Sequence, residues 1–100
     1  MHPEIKIIIE AVAGGYFFDD VLGKSMQRPL PQLRRIIVYL AYRRTKLRPA
    51  QIAREINKSK AFTGWAYHRT VKDLEHDPEL VKKVNKANKI IAGYNIQRLC

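Results

Sequence analysis

Pro49-Ala50-Gln51-Ile52-Ala53-Arg54-Glu55-Ile56-Asn57-Lys58-Ser59-Lys60-Ala61-Phe62-Thr63-Gly64-Trp65 is the stretch on which the fold turns. Proline suits a first helical position, where its missing N–H costs nothing. Ile52, Ala53 and Ile56 then recur on one side of a short helix from about Pro49 to Ile56. Asn57-Lys58-Ser59-Lys60 reads as a turn, with Ser59 placed to accept from the first free N–H groups of a longer helix. That helix runs to about Glu75 and carries Trp65, Tyr67, Val71 and Leu74. Two helices joined by so short a turn form a helix-turn-helix, whose second helix can lie in the major groove of DNA. Ala53 is small enough for the two backbones to approach, and Ile52 and Ile56 anchor the first helix. Ser59, Lys60 and Thr63 stand at the start of the second, where unpaired N–H groups favour phosphate.

The flanking sequence is helical in the same way. Ile5, Ile8, Ile9 and Val12 make an apolar stripe from about Glu4 to Ala13, and Gly14-Gly15 ends it. Asp19-Asp20-Val21-Leu22 reads as a short helix stopped by Gly23. Lys24 to Pro31 is a basic loop, since its two prolines forbid regular helix. Leu33, Ile36, Ile37 and Leu40, widened by Val38, Ala41 and Tyr42, predict a strong helix from about Gln32 to Arg44. Asp77-Pro78 is a capped helix start, and Leu80, Val84, Ala87, Ile91 and Tyr94 carry the last helix to about Arg98. No alternating strand pattern, repeat or low-complexity tract interrupts this. The expected architecture is all-α: about six helices in a single domain over residues 1–100, with the helix-turn-helix at about 49–75.

The chain has one hundred residues and a net charge of +10. From Lys24 to Lys72, thirteen Lys and Arg stand against Glu55 alone, a local charge of +12, so the rest of the chain is slightly acidic. A solvated surface mixes signs for solubility; a half-chain stretch with one acid is better explained by an anionic partner. The length leaves no room for a nucleotide-hydrolysing domain beside this one. A single cysteine, Cys100, excludes an internal disulfide framework and fits a reducing compartment. Neither a membrane-spanning run nor a secretory leader is evident, so a cytoplasmic location is expected. His68 and His76 lack a Cys or carboxylate at ligand spacing, so no metal is expected. With no Gly-rich phosphate loop and no nucleophile–base pair, neither catalysis nor a cofactor is expected.

The order of these elements resembles the C-terminal DNA-binding domain of the bacterial replication initiator DnaA, a Trp-repressor-like helical domain. Ile8-Ile9-Glu10-Ala11-Val12-Ala13 resembles its opening helix. Asp20-Val21-Leu22-Gly23-Lys24-Ser25 is similar to its Asp-Leu-Leu-Gly-Lys-Ser, and Arg34-Arg35-Ile36-Ile37-Val38-Tyr39-Leu40-Ala41 to its Arg-Gln-Ile-Ala-Met-Tyr-Leu-Ala. Ala50-Gln51-Ile52-Ala53 stands where the family has Pro-Glu-Ile-Gly. The likeness covers roughly residues 5 to 80. Where the family reads its DNA with Gly-Gly-Arg-Asp-His-Thr-Thr, this chain has Asn57-Lys58-Ser59-Lys60-Ala61-Phe62-Thr63, so only the last Thr is shared. Met26 falls where the family's basic loop has an Arg. The resemblance implies a double-stranded DNA-binding architecture without the family's ATPase domain.

The candidate contacts follow from these readings. Lys60 and Thr63 are placed near the floor of the groove, beside Ser59. Lys24, Arg28, Arg34 and Arg48 are placed on phosphate or in the minor groove, where positional demands are looser. Gln51 is placed on the backbone from the first helix of the pair. Trp65 faces outward beside Arg69 and Lys72 if Gly64, Tyr67, Val71 and Leu74 form the buried face, and otherwise belongs to the core. The alternative function is a regulator, for instance of a phage or mobile element, that keeps the fold and binds an acidic protein partner. The C-terminal stripe is a possible surface for a partner or for self-association. An anionic membrane is the weakest fit, because the apolar faces are needed for the core.

Overall fold

A computed structural model describes residues 2–94. Six helices follow in order: α1 (Pro3–Ala13), α2 (Phe18–Leu22), α3 (Leu30–Arg44), α4 (Pro49–Glu55), α5 (Lys60–Leu74) and α6 (Pro78–Gly93). All regular structure among the described residues is helical, as the sequence pattern predicts. The expected end of the last helix near Arg98, and Cys100, lie outside the described residues.

α3 is the hub. Leu33, Ile36, Ile37, Val38, Leu40 and Ala41 are all buried, and a helix apolar this far round must be covered on most sides. α1, α2, α4 and α5 pack against it, while α6 closes on α1 and α5. Ile5, Ile8 and Ile9 of α1 meet Leu80, Val84, Ala87 and Ile91 of α6 in the same core. The stripe read from the sequence therefore ends at Ile91; Tyr94 is exposed.

α5 is joined to α3 by small groups and stacked rings rather than aliphatic bulk. Its buried positions are Thr63, Ala66 and Thr70, spaced at one helical face. Small side chains let the two backbones come close, and the Tyr67 ring then stacks on both Tyr39 and Tyr42, with centroids 5.7 and 4.6 Å apart. Of the face that would turn Trp65 outward, Tyr67 and Leu74 pack against the core but Val71 is exposed, because Thr and Ala occupy most of the contact line.

The turns close as their residues dictate. Asn57 takes a left-handed φ of 59°, a conformation that Asn tolerates better than most residues. Lys58 N–H donates to the Ala53 carbonyl at 2.9 Å and Asn57 N–H to that of Arg54 at 3.2 Å, the paired bonds that finish a helix ending on a left-handed residue. Ser59 Oγ accepts from Phe62 N–H at 3.0 Å and so caps α5, and Asp77 caps α6 through Glu79 and Leu80. At Gly23, which ends α2, an added Cβ would lie 2.6 Å from the Asp19 carbonyl oxygen, so a side chain would force the backbone to shift.

Candidate nucleic-acid interface

The α4–turn–α5 pair presents the start of α5 beside the loop that joins α2 to α3. Between them lies a groove of about 300 Å³, walled by Met26, Pro31, Phe62 and Trp65 and by the cations Arg34, Arg35 and Lys58. A second groove, of about 510 Å³, shares Met26, Pro31 and Arg35 with the first and extends to Arg28, Pro29, Gln32 and Lys83. Among the described residues, no carboxylate lines either one. The single acid of the basic stretch, Glu55, is engaged elsewhere, accepting from the backbone N–H of His2.

Two of the cations here, Lys58 and Arg35, are held down by burial and by positive neighbours. Burial holds Lys58 below its ordinary lysine value, and the neighbouring charges of Arg34 and Lys24 lower it further. Its ammonium donates to the Gly23 carbonyl at 2.8 Å. Burial likewise lowers Arg35, with Arg69 adding to the fall and Asp73 opposing it. Positive neighbours that depress a cation's protonation are offset by an arriving anion.

The predicted contacts divide into those this geometry gathers and those it does not. Arg28 lines the groove, and Lys24 lies near enough to act on Lys58. Lys60 is exposed at the first position of α5, and Ser59 is exposed with its hydroxyl committed to the cap. Arg48 and Gln51 are exposed at the start of α4, where Gln51 Oε1 accepts from the Arg48 backbone N–H at 3.1 Å; neither lines the grooves. Arg43 and Arg44 sit nine residues along α3 from Arg34 and Arg35, about 14 Å down the axis. The basic stretch therefore does not gather as a whole around the grooves.

Two expectations are corrected. Arg34 is buried, and burial lowers its pKa. Its guanidinium donates from Nε to the Val21 carbonyl at 2.6 Å and from a terminal nitrogen to that of Asp20 at 2.9 Å. These are carbonyls at the C-terminal end of α2 that have no partner within the helix, so Arg34 caps α2 and does not reach outward to phosphate. Thr63 is completely buried, and its hydroxyl donates to the Lys60 carbonyl at 2.7 Å in its own helix. Tyr42 covers it from α3, its hydroxyl 3.4 Å away. Thr63 thus packs α5 onto α3 and does not face a base.

Other residues take their place. The outward face of α5 presents Ala61, Trp65, His68, Arg69 and Lys72, all exposed. Arg69 pairs with Asp73 at 3.1 Å. Arg35, Lys58 and Lys83 were not among the sequence candidates. Arg35 had a readable signal, because Arg34, Ile37, Val38 and Ala41 share the buried face of α3 and the next residue must turn about 100° away from it. Lys83 had none: it reaches the groove from α6, where it donates to Gln32 Oε1 at 2.6 Å across fifty-one positions of sequence.

No set of three or more His, Cys, Asp and Glu able to hold a metal ion is found among the described residues, and no described helix is long and apolar enough to cross a membrane. Compared with known proteins, the chain matches no family model, no curated protein and no solved structure.

Proposed function

We propose that this protein binds double-stranded DNA without catalysing a reaction, through α5 and the basic loop that precedes α3. In this reading the outward face of α5 enters the major groove, while Lys24 and Arg28 meet the adjoining phosphates or minor groove. Register comes from a few side chains on α5, and affinity comes from displaced counterions. One observation carries the reading: the groove beside the start of α5 and the one adjoining it are lined by cations from the loop, α3, the turn and α6, with no carboxylate among the described residues that line them. The sequence resemblance supports a kinship with the DNA-binding domain of a replication initiator, acting in the cytoplasm. The departures in Asn57 to Thr63, together with the burial of Thr63, support a different target sequence.

Selection of bound duplexes from a random pool tests this. A reader of sequence yields a convergent motif that changes when Lys72 or Arg69 is altered. Recovery of no duplex above background at low salt overturns the proposal. Recovery of no duplex, together with capture of one acidic protein that survives nuclease treatment, would favour the partner reading instead.

A further inference from the structure

The chain's only tryptophan is not in its core. Trp65 is 51% exposed at the lip of the first groove, although a bulky indole usually buries most of its surface. Beside it lie the Phe62 ring, 5.9 Å away between centroids and tilted by 44°, and the Arg35 guanidinium, 5.9 Å from the indole centroid. Arg35 also lines the second groove, so an aromatic platform and a cationic track meet at one residue.

A duplex cannot use all of this. Its bases are stacked on one another, so it offers an indole no free ring face. A single strand offers both parts at once: an unstacked base for the platform and a phosphate for the adjoining cations. An extended peptide is a poorer fit, because it needs backbone hydrogen-bond partners. Among the described residues that line the grooves, Gln32 carries the only side-chain amide, and its oxygen already accepts from Lys83. We propose that the groove between Met26 and Trp65 is a site for single-stranded nucleic acid, with a base stacked on Trp65 and its phosphate held by Arg35 and Lys58. This is a second activity, and it stands whether or not α5 engages a duplex.

The experiment is titration of the whole chain with short oligo(dT), read by Trp65 fluorescence and, for variants, by the anisotropy of a fluorescein-labelled strand. Stacking of one base is worth about 1–3 kcal/mol, so Trp65→Ala should weaken binding about 5- to 150-fold, and Trp65→Phe should restore much of the loss. Trp65 is exposed, so both variants should keep the wild-type circular dichroism. The strand should quench Trp65, while an abasic strand of equal length should bind more weakly and leave its emission unchanged. Equal binding by Trp65→Ala, equal quenching by the abasic strand, or equal quenching by poly-glutamate each overturns the proposal. A duplex titrated in parallel keeps the two readings apart: duplex binding without single-strand binding sinks this inference alone, and the reverse sinks only the duplex reading.

Discussion

Arg34 offers the sharpest separation between holding the fold and holding a ligand. Arg34→Met removes the donors to two carbonyls at the end of α2, at Val21 and Asp20. A hydrogen bond to a charged group contributes about 1.5–3 kcal/mol, and a buried carbonyl left unpaired costs about 1–3 kcal/mol. The two bonds share one guanidinium, so they do not add fully, and releasing a buried charge offsets part of the loss. A net destabilisation of about 2–3 kcal/mol follows, which for a chain this short lowers Tm by about 10–20 °C. Arg34→Lys keeps the charge with a single donor nitrogen and should lose about half as much. Thermal unfolding followed by far-ultraviolet circular dichroism measures both, with duplex affinity measured where each variant is folded. A capping role predicts a lower Tm with duplex affinity nearly unchanged for Arg34→Lys. If Arg34→Met melts within about 2 °C of the wild type while its duplex affinity falls tenfold, the reasoning is refuted and Arg34 touches the ligand.

Three further outcomes follow. Thr63→Val, nearly the same shape, should lower stability by removing the hydroxyl that bonds Lys60 and Tyr42, yet leave duplex affinity within about twofold, because the side chain is buried; a changed sequence preference in a binding selection contradicts that placement. Asn57→Ala should cost about 1 kcal/mol for its left-handed backbone, whereas Asn57→Gly should be neutral or stabilising, as urea unfolding can show. Lys58 has a folded-state pKa below its unfolded one, so between the two the unfolded chain binds more protons and stability rises with pH. The stability of the wild type relative to Lys58→Met should therefore increase as pH climbs toward the ordinary lysine range, and a fall over that range contradicts the burial of Lys58 beside other cations.

Much of the fold was legible because its signals are local. The Asp77-Pro78 start and the Ser59 cap are short-range chemistry, and each appears where the sequence places it. The stripe from Leu80 to Ile91 is strict enough to read by counting. α5 was harder, since its buried face is Thr63, Ala66 and Thr70, residues that an apolar count passes over. The candidate site was legible in part. Lys24 and Arg28 stand out as a basic loop, yet charge alone does not say which arginine of the Arg34-Arg35 pair turns inward. The periodicity of α3 does say so, because Arg34 shares a helical face with Ile37, Val38 and Ala41. Lys83 joins the groove only through tertiary packing of α6, which no spacing in the sequence encodes.

The salt dependence of duplex affinity tests the central claim most directly. If the grooves neutralise DNA phosphates, a plot of log affinity against log salt concentration falls linearly, with a slope of about 0.9 per phosphate contacted. Arg28→Gln and Arg35→Gln should each flatten it by about one unit, while Lys6→Gln on α1, outside both grooves, should leave it unchanged. A slope near zero for the wild type, or an equal change from Lys6→Gln, would contradict the account.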